Sequence, residues 1–318
     1  MDVVFLVAGL AILFVGGELT LRGAVGLARF LGVSAAVIGL TVVGFGTSAP
    51  ELVVTIQAAL ADRSGLAIGN VVGSNISNLL LILGVGAIIC TLHCTAESAK
   101  RDAGMMVASA ALLVGLGFYG EIVWWHGILM VGVLVTYLGI TYVRDRKDQA
   151  SRELHEQESE ELENAPTSLP VILVFTVLGL IGLVLGADLM VKGAIGIAES
   201  FGISETVIGL TVVALGTSLP ELAATVVAAY RKHTDVAIAN VMGSCVFNIL
   251  SILGITSMVA TLSIETEIRD HDLWCMLAAS AIVAGLLLKN ASIGRIAGLI
   301  LLAGYFGYIA SLAPRFVA

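Results

Sequence analysis

The chain has 318 residues, of which 58% are hydrophobic and 13% charged, with a mean hydropathy of +1.01. Such a chain is far too apolar and too sparsely charged for a soluble globular domain. The net charge of −8 specifies no partner, because much of it lies in one polar connector, and no nucleic-acid partner is expected.

Apolar segments of about 20 residues, each long enough to cross a bilayer as a helix, follow one another along the chain. They fall near 3–28, 33–60, 66–91, 103–119, 122–143, 170–195, 203–230, 236–261, 271–288 and 292–312. No strand-like alternation with turn signals is present, which argues against a β-barrel. The first span resembles a signal-peptide core, yet no Lys or Arg precedes it, and its residues 17–19 and 23–28 correspond to 187–189 and 193–198 at the offset of 170, so it is expected to belong to the fold. Cys90, Cys94, Cys245 and Cys275 lie in or near apolar segments without a CxxC pair and read as inert thiols. Between the fifth and sixth spans lies the one long polar run. Its glutamates have no EF-hand spacing, so it reads as a solvated, partly helical linker.

The sequence GLTVVGFGTSAPEL at 39–52 returns as GLTVVALGTSLPEL at 209–222, and the same offset aligns 70–84 with 240–254. Across 39–84 and 209–254, 25 of 46 positions are identical. Repeats decide architecture first. Five spans per copy is an odd number, so the second copy enters from the opposite face. The expected fold is an all-α polytopic membrane protein with ten transmembrane helices in two inverted five-helix repeats. The first repeat is 1–143 (motif region 39–84), the acidic linker 144–169, and the second repeat 170–318 (motif region 209–254). Twelve Lys and Arg fall on the linker's side and four on the other. The linker is therefore expected in the cytoplasm and both termini outside.

Each copy places one glutamate, Glu51 or Glu221, in an apolar segment, with no Lys or Arg in 33–60 or 203–228. A lone carboxylate at that depth costs about 3 kcal/mol on insertion scales, so two symmetric copies point to a two-fold cation site. Pro50 lacks an N–H and its ring clashes with the carbonyl of Gly46, so the helix breaks there. Freed carbonyls at membrane depth line a cavity. Thr47 and Ser48 precede Glu51 by four and three residues, which sets all three on one side of a helix. Ser74 and Asn78 are four apart on the next span, and the second copy supplies Thr217, Ser218, Ser244 and Asn248. Carboxylates, hydroxyls and carbonyls are hard oxygen donors suited to Na⁺ or Ca²⁺.

GTSAPEL and GTSLPEL, each followed by a GS-containing helix, resemble the α-repeats of the Ca²⁺/cation antiporter superfamily, and most closely the prokaryotic sodium/calcium exchangers. The resemblance covers nearly the whole chain. It implies secondary active antiport of Ca²⁺ against Na⁺ by alternating access, in a prokaryotic cytoplasmic (inner) membrane, with no resident cofactor and no obligate protein partner. It also implies that Glu51 and Glu221 are the central ligands. Thr47, Thr217, Ser48, Ser218, Ser74, Ser244, Asn78 and Asn248 would support them, with carbonyls near Gly44, Thr47, Ala214 and Thr217. Some relatives carry aspartate where this chain has Asn248, which argues against a K⁺-coupled variant. Proton/calcium exchangers resemble GNxPE, whereas Thr47-Ser48 and Thr217-Ser218 match the sodium type. H⁺ or K⁺ coupling is the alternative. A glutamate-lined channel is weaker, because channels gain symmetry by assembling subunits. No nucleophile–base–orienter set is visible, so no enzyme is expected.

Overall fold

The structure, a computed structural model, describes residues 2–147, 166–200 and 214–312, without the side chains of 147, 194–195, 197–200 and 214. The acidic stretch of the expected linker and the first part of the expected seventh span lie outside the described residues.

The first half begins with α1 (Asp2–Leu31). The second span is broken, as Pro50 requires. It runs through α2 (Ala35–Ile38), a π-helical stretch (Gly39–Val43) and α3 (Gly44–Thr47), then bends by 43° at Ser48 into α4 (Ala49–Leu60). Pro50 sits in the first turn of α4, where its missing N–H leaves no helix bond unmade. The third span comprises α5 (Ser64–Ile76), a π-helical stretch (Ser77–Ile82) and α6 (Leu83–Ile89). Next comes α7 (Ala96–Tyr119), whose start is capped by the Thr95 hydroxyl and whose end is set by Gly120 at φ 93°. The half closes with α8 (Trp124–Lys147), which carries the helix beyond the expected boundary at 143 into the first charged residues of the linker.

The second half repeats this order with α9 (Leu169–Ser200), α10 (Ala214–Gly216), α11 (Leu219–Tyr230) and α12 (Thr234–Phe247). A π-helical stretch (Asn248–Leu253) leads into α13 (Gly254–Val259). Another (Ile268–Asp272) leads into α14 (Leu273–Asn290), and α15 (Arg295–Leu312) follows. Among the described residues eight helices are long and apolar enough to cross a membrane, and nine if the bent pair at 35–60 counts as one span.

The chain is not purely helical. Leu92–His93 pairs antiparallel with Ser292–Ile293, and Glu121–Ile122 with Leu262–Ser263. These short ribbons satisfy backbone groups at chain reversals, where no helix can. Each joins one half to the other, and an offset of 170 carries Leu92 and Ile122 of the first half onto Leu262 and Ser292 of the second. Helix packing shows the same exchange, with α15 against α6 and α8 against α13. α1 lies along α9 at backbone distance: a Cβ on Gly16 would meet main-chain atoms of Leu183 and Gly182 at 2.8 and 2.9 Å. At the centre, α12 is buried from Val236 to Phe247, while large apolar side chains such as Val4, Phe14, Ile300 and Phe306 face outward. That inside-out distribution suits a lipid environment.

Two further acidic residues, each in the middle of a long helix, are neutralised locally. Glu18 pairs with Arg22 and, at 2.8 Å, with Arg231 of the other half, and Asp188 pairs with Lys192 at 2.6 Å. These pairs set Glu18 and Asp188 apart from the two motif glutamates.

Candidate cation site

The bends at Ser48 and Ser218 have nearly the same geometry, with φ and ψ of −82° and 7° at the first and −88° and 5° at the second. Each is followed by a helix whose first turn carries the motif glutamate. A helix N-terminus presents unpaired N–H groups and partial positive charge, which favours a carboxylate there. Glu51 and Glu221 are both fully buried. Among the described residues neither forms an ion pair with Lys, Arg or His.

Their hydrogen bonds cross between the halves. Ser48 Oγ donates to Glu221 Oε1 at 2.9 Å, and Ser218 Oγ to Glu51 Oε1 at 3.5 Å. The Thr47 hydroxyl also faces Glu221, and that of Thr217 faces Glu51. Ser218 lies 3.5 Å from Ser74 Oγ, bringing α5 into the cluster. The Gly44 carbonyl accepts the helix bond from the Ser48 N–H at 3.2 Å and is reached also by Thr47 Oγ1 at 3.3 Å and Ser244 Oγ at 3.4 Å, so it is an oxygen shared between halves. Asn78 and Asn248 are buried at the start of the two π-helical stretches, a local distortion frequent at functional sites. Ala214 opens the short helix that leads to Thr217. The structure thus gathers Glu51, Glu221, Thr47, Thr217, Ser48, Ser218, Ser74, Ser244 and the Gly44 carbonyl, whereas Asn248 hydrogen-bonds Asn75, the neighbour of Ser74 in sequence.

Buried polar atoms normally find partners. Among the described residues Glu51 Oε2, Glu221 Oε2, Asn78 Oδ1 and Asn248 Oδ1 have none. Four buried oxygens without donors, two of them on carboxylates, form a set that a hard cation satisfies and a hydrophobic core does not. Among the described residues no three His, Cys, Asp or Glu side chains cluster to hold a metal ion. Neutral oxygens must therefore complete any shell around the two carboxylates.

Several supporting residues escape a reading by motif. Asn70 Nδ2 donates to Thr55 Oγ1 at 3.0 Å and to the Glu51 carbonyl at 3.4 Å. Asn240 does the same to Thr225 and the Glu221 carbonyl at 3.1 and 3.5 Å. These contacts fasten each glutamate-bearing helix to the next. Both pairs are identical at the 170-residue offset, which is the signal that marks them.

This architecture has solved counterparts. The family model described as sodium/calcium exchanger protein matches residues 1–143 and 171–313. The chain belongs to the sodium/calcium exchanger family. Among similar proteins, the sodium/calcium exchanger MaX1 of Methanosarcina acetivorans is 33% identical over 343 residues, covering 96% of this chain and 97% of its own. The inner membrane protein YrbG of Escherichia coli is 30% identical over 310 residues, covering 96% and 95%. A solved structure of the sodium-calcium exchanger NCX_Mj, soaked with Na⁺ and Ca²⁺, superposes with a TM-score of 0.84 at 32% identity over 98% of both chains. This exchanger-family chain is an integral membrane antiporter, with the bent, carboxylate-bearing helices at its centre.

Proposed function

We propose that the chain exchanges Ca²⁺ for Na⁺ by alternating access at one midplane site built on Glu51 and Glu221. The observation that carries this reading is the pair of fully buried carboxylates, each with an oxygen that has no hydrogen-bond donor and no basic partner among the described residues. Two carboxylates balance one Ca²⁺ or two Na⁺, so the ions compete for the same oxygens. The Ser and Thr hydroxyls around them provide flanking positions for the monovalent ion. If more than two Na⁺ replace one Ca²⁺, transport moves net charge and responds to voltage.

The halves 1–143 and 170–318 are inverted repeats in this reading, joined by a cytoplasmic linker at 144–169. Ten helices cross the cytoplasmic membrane and both termini lie outside. The exchanged packing of α6 with α15 and α8 with α13 supports two-fold reciprocity, and the asymmetry of basic residues supports the orientation. The names of the relatives support Na⁺ as the coupling ion.

The test is ⁴⁵Ca²⁺ uptake into proteoliposomes loaded in turn with Na⁺, K⁺ or acid buffer. Uptake driven by internal Na⁺ alone is expected. Uptake driven equally by a proton or K⁺ gradient would replace Na⁺ as the counter-ion, and uptake without any opposing gradient would make the protein a channel.

A further inference from the structure

Asn75 lies on α5 between Ser74 and Asn78, and its counterpart in the second half is Cys245. The two positions meet across the halves. Asn75 Nδ2 donates to the Cys245 carbonyl at 3.3 Å, while Cys245 Sγ lies 3.9 Å from the Asn75 carbonyl. Both residues are buried, at 1% exposure.

A main-chain carbonyl only accepts, so it fixes which end of the Asn75 amide faces it. The NH₂ group must point at Cys245, and Oδ1 must point away. Asn248 meets that oxygen, donating from Nδ2 at 3.0 Å. The second amide is thereby oriented in turn: its NH₂ is held by Asn75, and its Oδ1 is left buried without a donor among the described residues. The polarity of Asn248 thus follows from a group that cannot flip, and not from a choice between two ends of similar shape.

The other half has no such relay. The Cys245 thiol lies beside Asn78, but sulfur is a weak partner, and among the described residues neither amide atom of Asn78 has an N or O partner at hydrogen-bonding distance. The repeat is therefore asymmetric at this point: one asparagine is aimed and its counterpart is not.

We propose that Asn75 is a positioning residue that holds Asn248 with its oxygen toward the ions. The inference rests on the reading that Asn248 is an ion ligand. Without Asn75, the Asn248 amide can present either end to the cavity, and an N–H facing a cation repels it. The loss of one orienting hydrogen bond corresponds to a change of about fivefold in ion affinity.

The test is a double-mutant cycle on the full-length chain in proteoliposomes, reading half-saturating Ca²⁺ and maximal rate separately. Asn75→Ser keeps a small polar side chain at the buried position, which limits the loss of folding, but lacks the amide oxygen that Asn248 meets. Asn75→Ala is the second variant. In the native background each is expected to raise half-saturating Ca²⁺ about fivefold with little change in maximal rate. In an Asn248→Ala background neither should add to the effect of that substitution. Effects that multiply in the double variants, or Asn75 variants with unchanged half-saturation, would overturn the positioning role. If Asn248→Ala itself leaves half-saturation unchanged, Asn248 is not a ligand. That result removes the reading on which the inference stands, and is distinct from a failure at Asn75.

Discussion

Ser48, from the first half, hydrogen-bonds Glu221 of the second at 2.9 Å, and the reciprocal contact from Ser218 to Glu51 is longer, at 3.5 Å. Neither serine serves the glutamate three residues ahead of it. Each stands at the bend before its own helix, makes no capping bond there, and aims its hydroxyl across to the other half. The two carboxylates are thus held by one network in which neither half is complete alone. The difference of lengths shows that the network is not perfectly two-fold.

Removing either charge should stop transport without unfolding the protein. Glu51→Gln and Glu221→Gln keep the shape and the acceptor oxygen that the serines use, but a divalent ion would retain one compensating charge in a low dielectric. Each variant is expected to elute as the native protein does on size exclusion and to lose Na⁺-driven ⁴⁵Ca²⁺ uptake. Near-native uptake by one variant would remove that glutamate from the site.

The hydroxyls should separate the two ions. Ser74 and Ser244 contribute neutral oxygens through Ser218 and the Gly44 carbonyl, and neither touches a carboxylate within hydrogen-bonding distance. Ser74→Ala and Ser244→Ala are expected to raise half-saturating Na⁺ several-fold, about what one hydrogen-bonding group contributes, and to shift half-saturating Ca²⁺ less. Flux measured against each ion in turn decides it, and an equal shift for both ions would place these oxygens in a shared shell.

Much of this arrangement is legible in the sequence because it is written twice. The offset of 170 identifies Glu51 with Glu221, Ser74 with Ser244 and Asn78 with Asn248, and Pro50 locates the break. Partner choice is not legible. Helical spacing sets Ser48 beside Glu51, but the bend at Ser48 departs from helix geometry and turns the hydroxyl to Glu221. The π-helical stretches at Ser77 and Asn248 leave no mark in composition. Asn75 looks peripheral in the repeat because its counterpart is cysteine, and only the contact between halves shows what it holds. The two-residue ribbons are likewise too short for periodicity to reveal.

The asparagine braces should matter for stability before they matter for ions. Asn240 ties α12 to Thr225 and to the Glu221 carbonyl, and Asn70 ties α5 to Thr55 and to the Glu51 carbonyl. Replacing Thr225 by Val removes the better of the Asn240 bonds and leaves a buried amide short of a partner, a cost of about 1–3 kcal/mol. A lower unfolding temperature in detergent is expected, with half-saturating Ca²⁺ close to native. If Thr225→Val retains its melting temperature but changes ion dependence, Thr225 belongs to the ion pathway and not to the scaffold.

Gly243 tests how tightly the centre is assembled. It precedes Ser244 on the fully buried α12, and a Cβ there would collide with the main chain of Leu40 in the π-helical stretch ahead of Gly44. Backbone atoms cannot swing aside as a side chain does, so Gly243→Ala must push the two segments apart at the point where Ser244 reaches the Gly44 carbonyl. Overpacking of this kind costs about 1–3 kcal/mol. The displacement is transmitted directly to the cluster, because Gly44, Thr47 and Ser48 follow Leu40 within eight residues on the same broken span. Gly243→Ala is therefore expected to lower both the melting temperature and the rate of exchange. A native exchange rate in Gly243→Ala would show that the close approach of Leu40 to α12 does not hold the site's geometry.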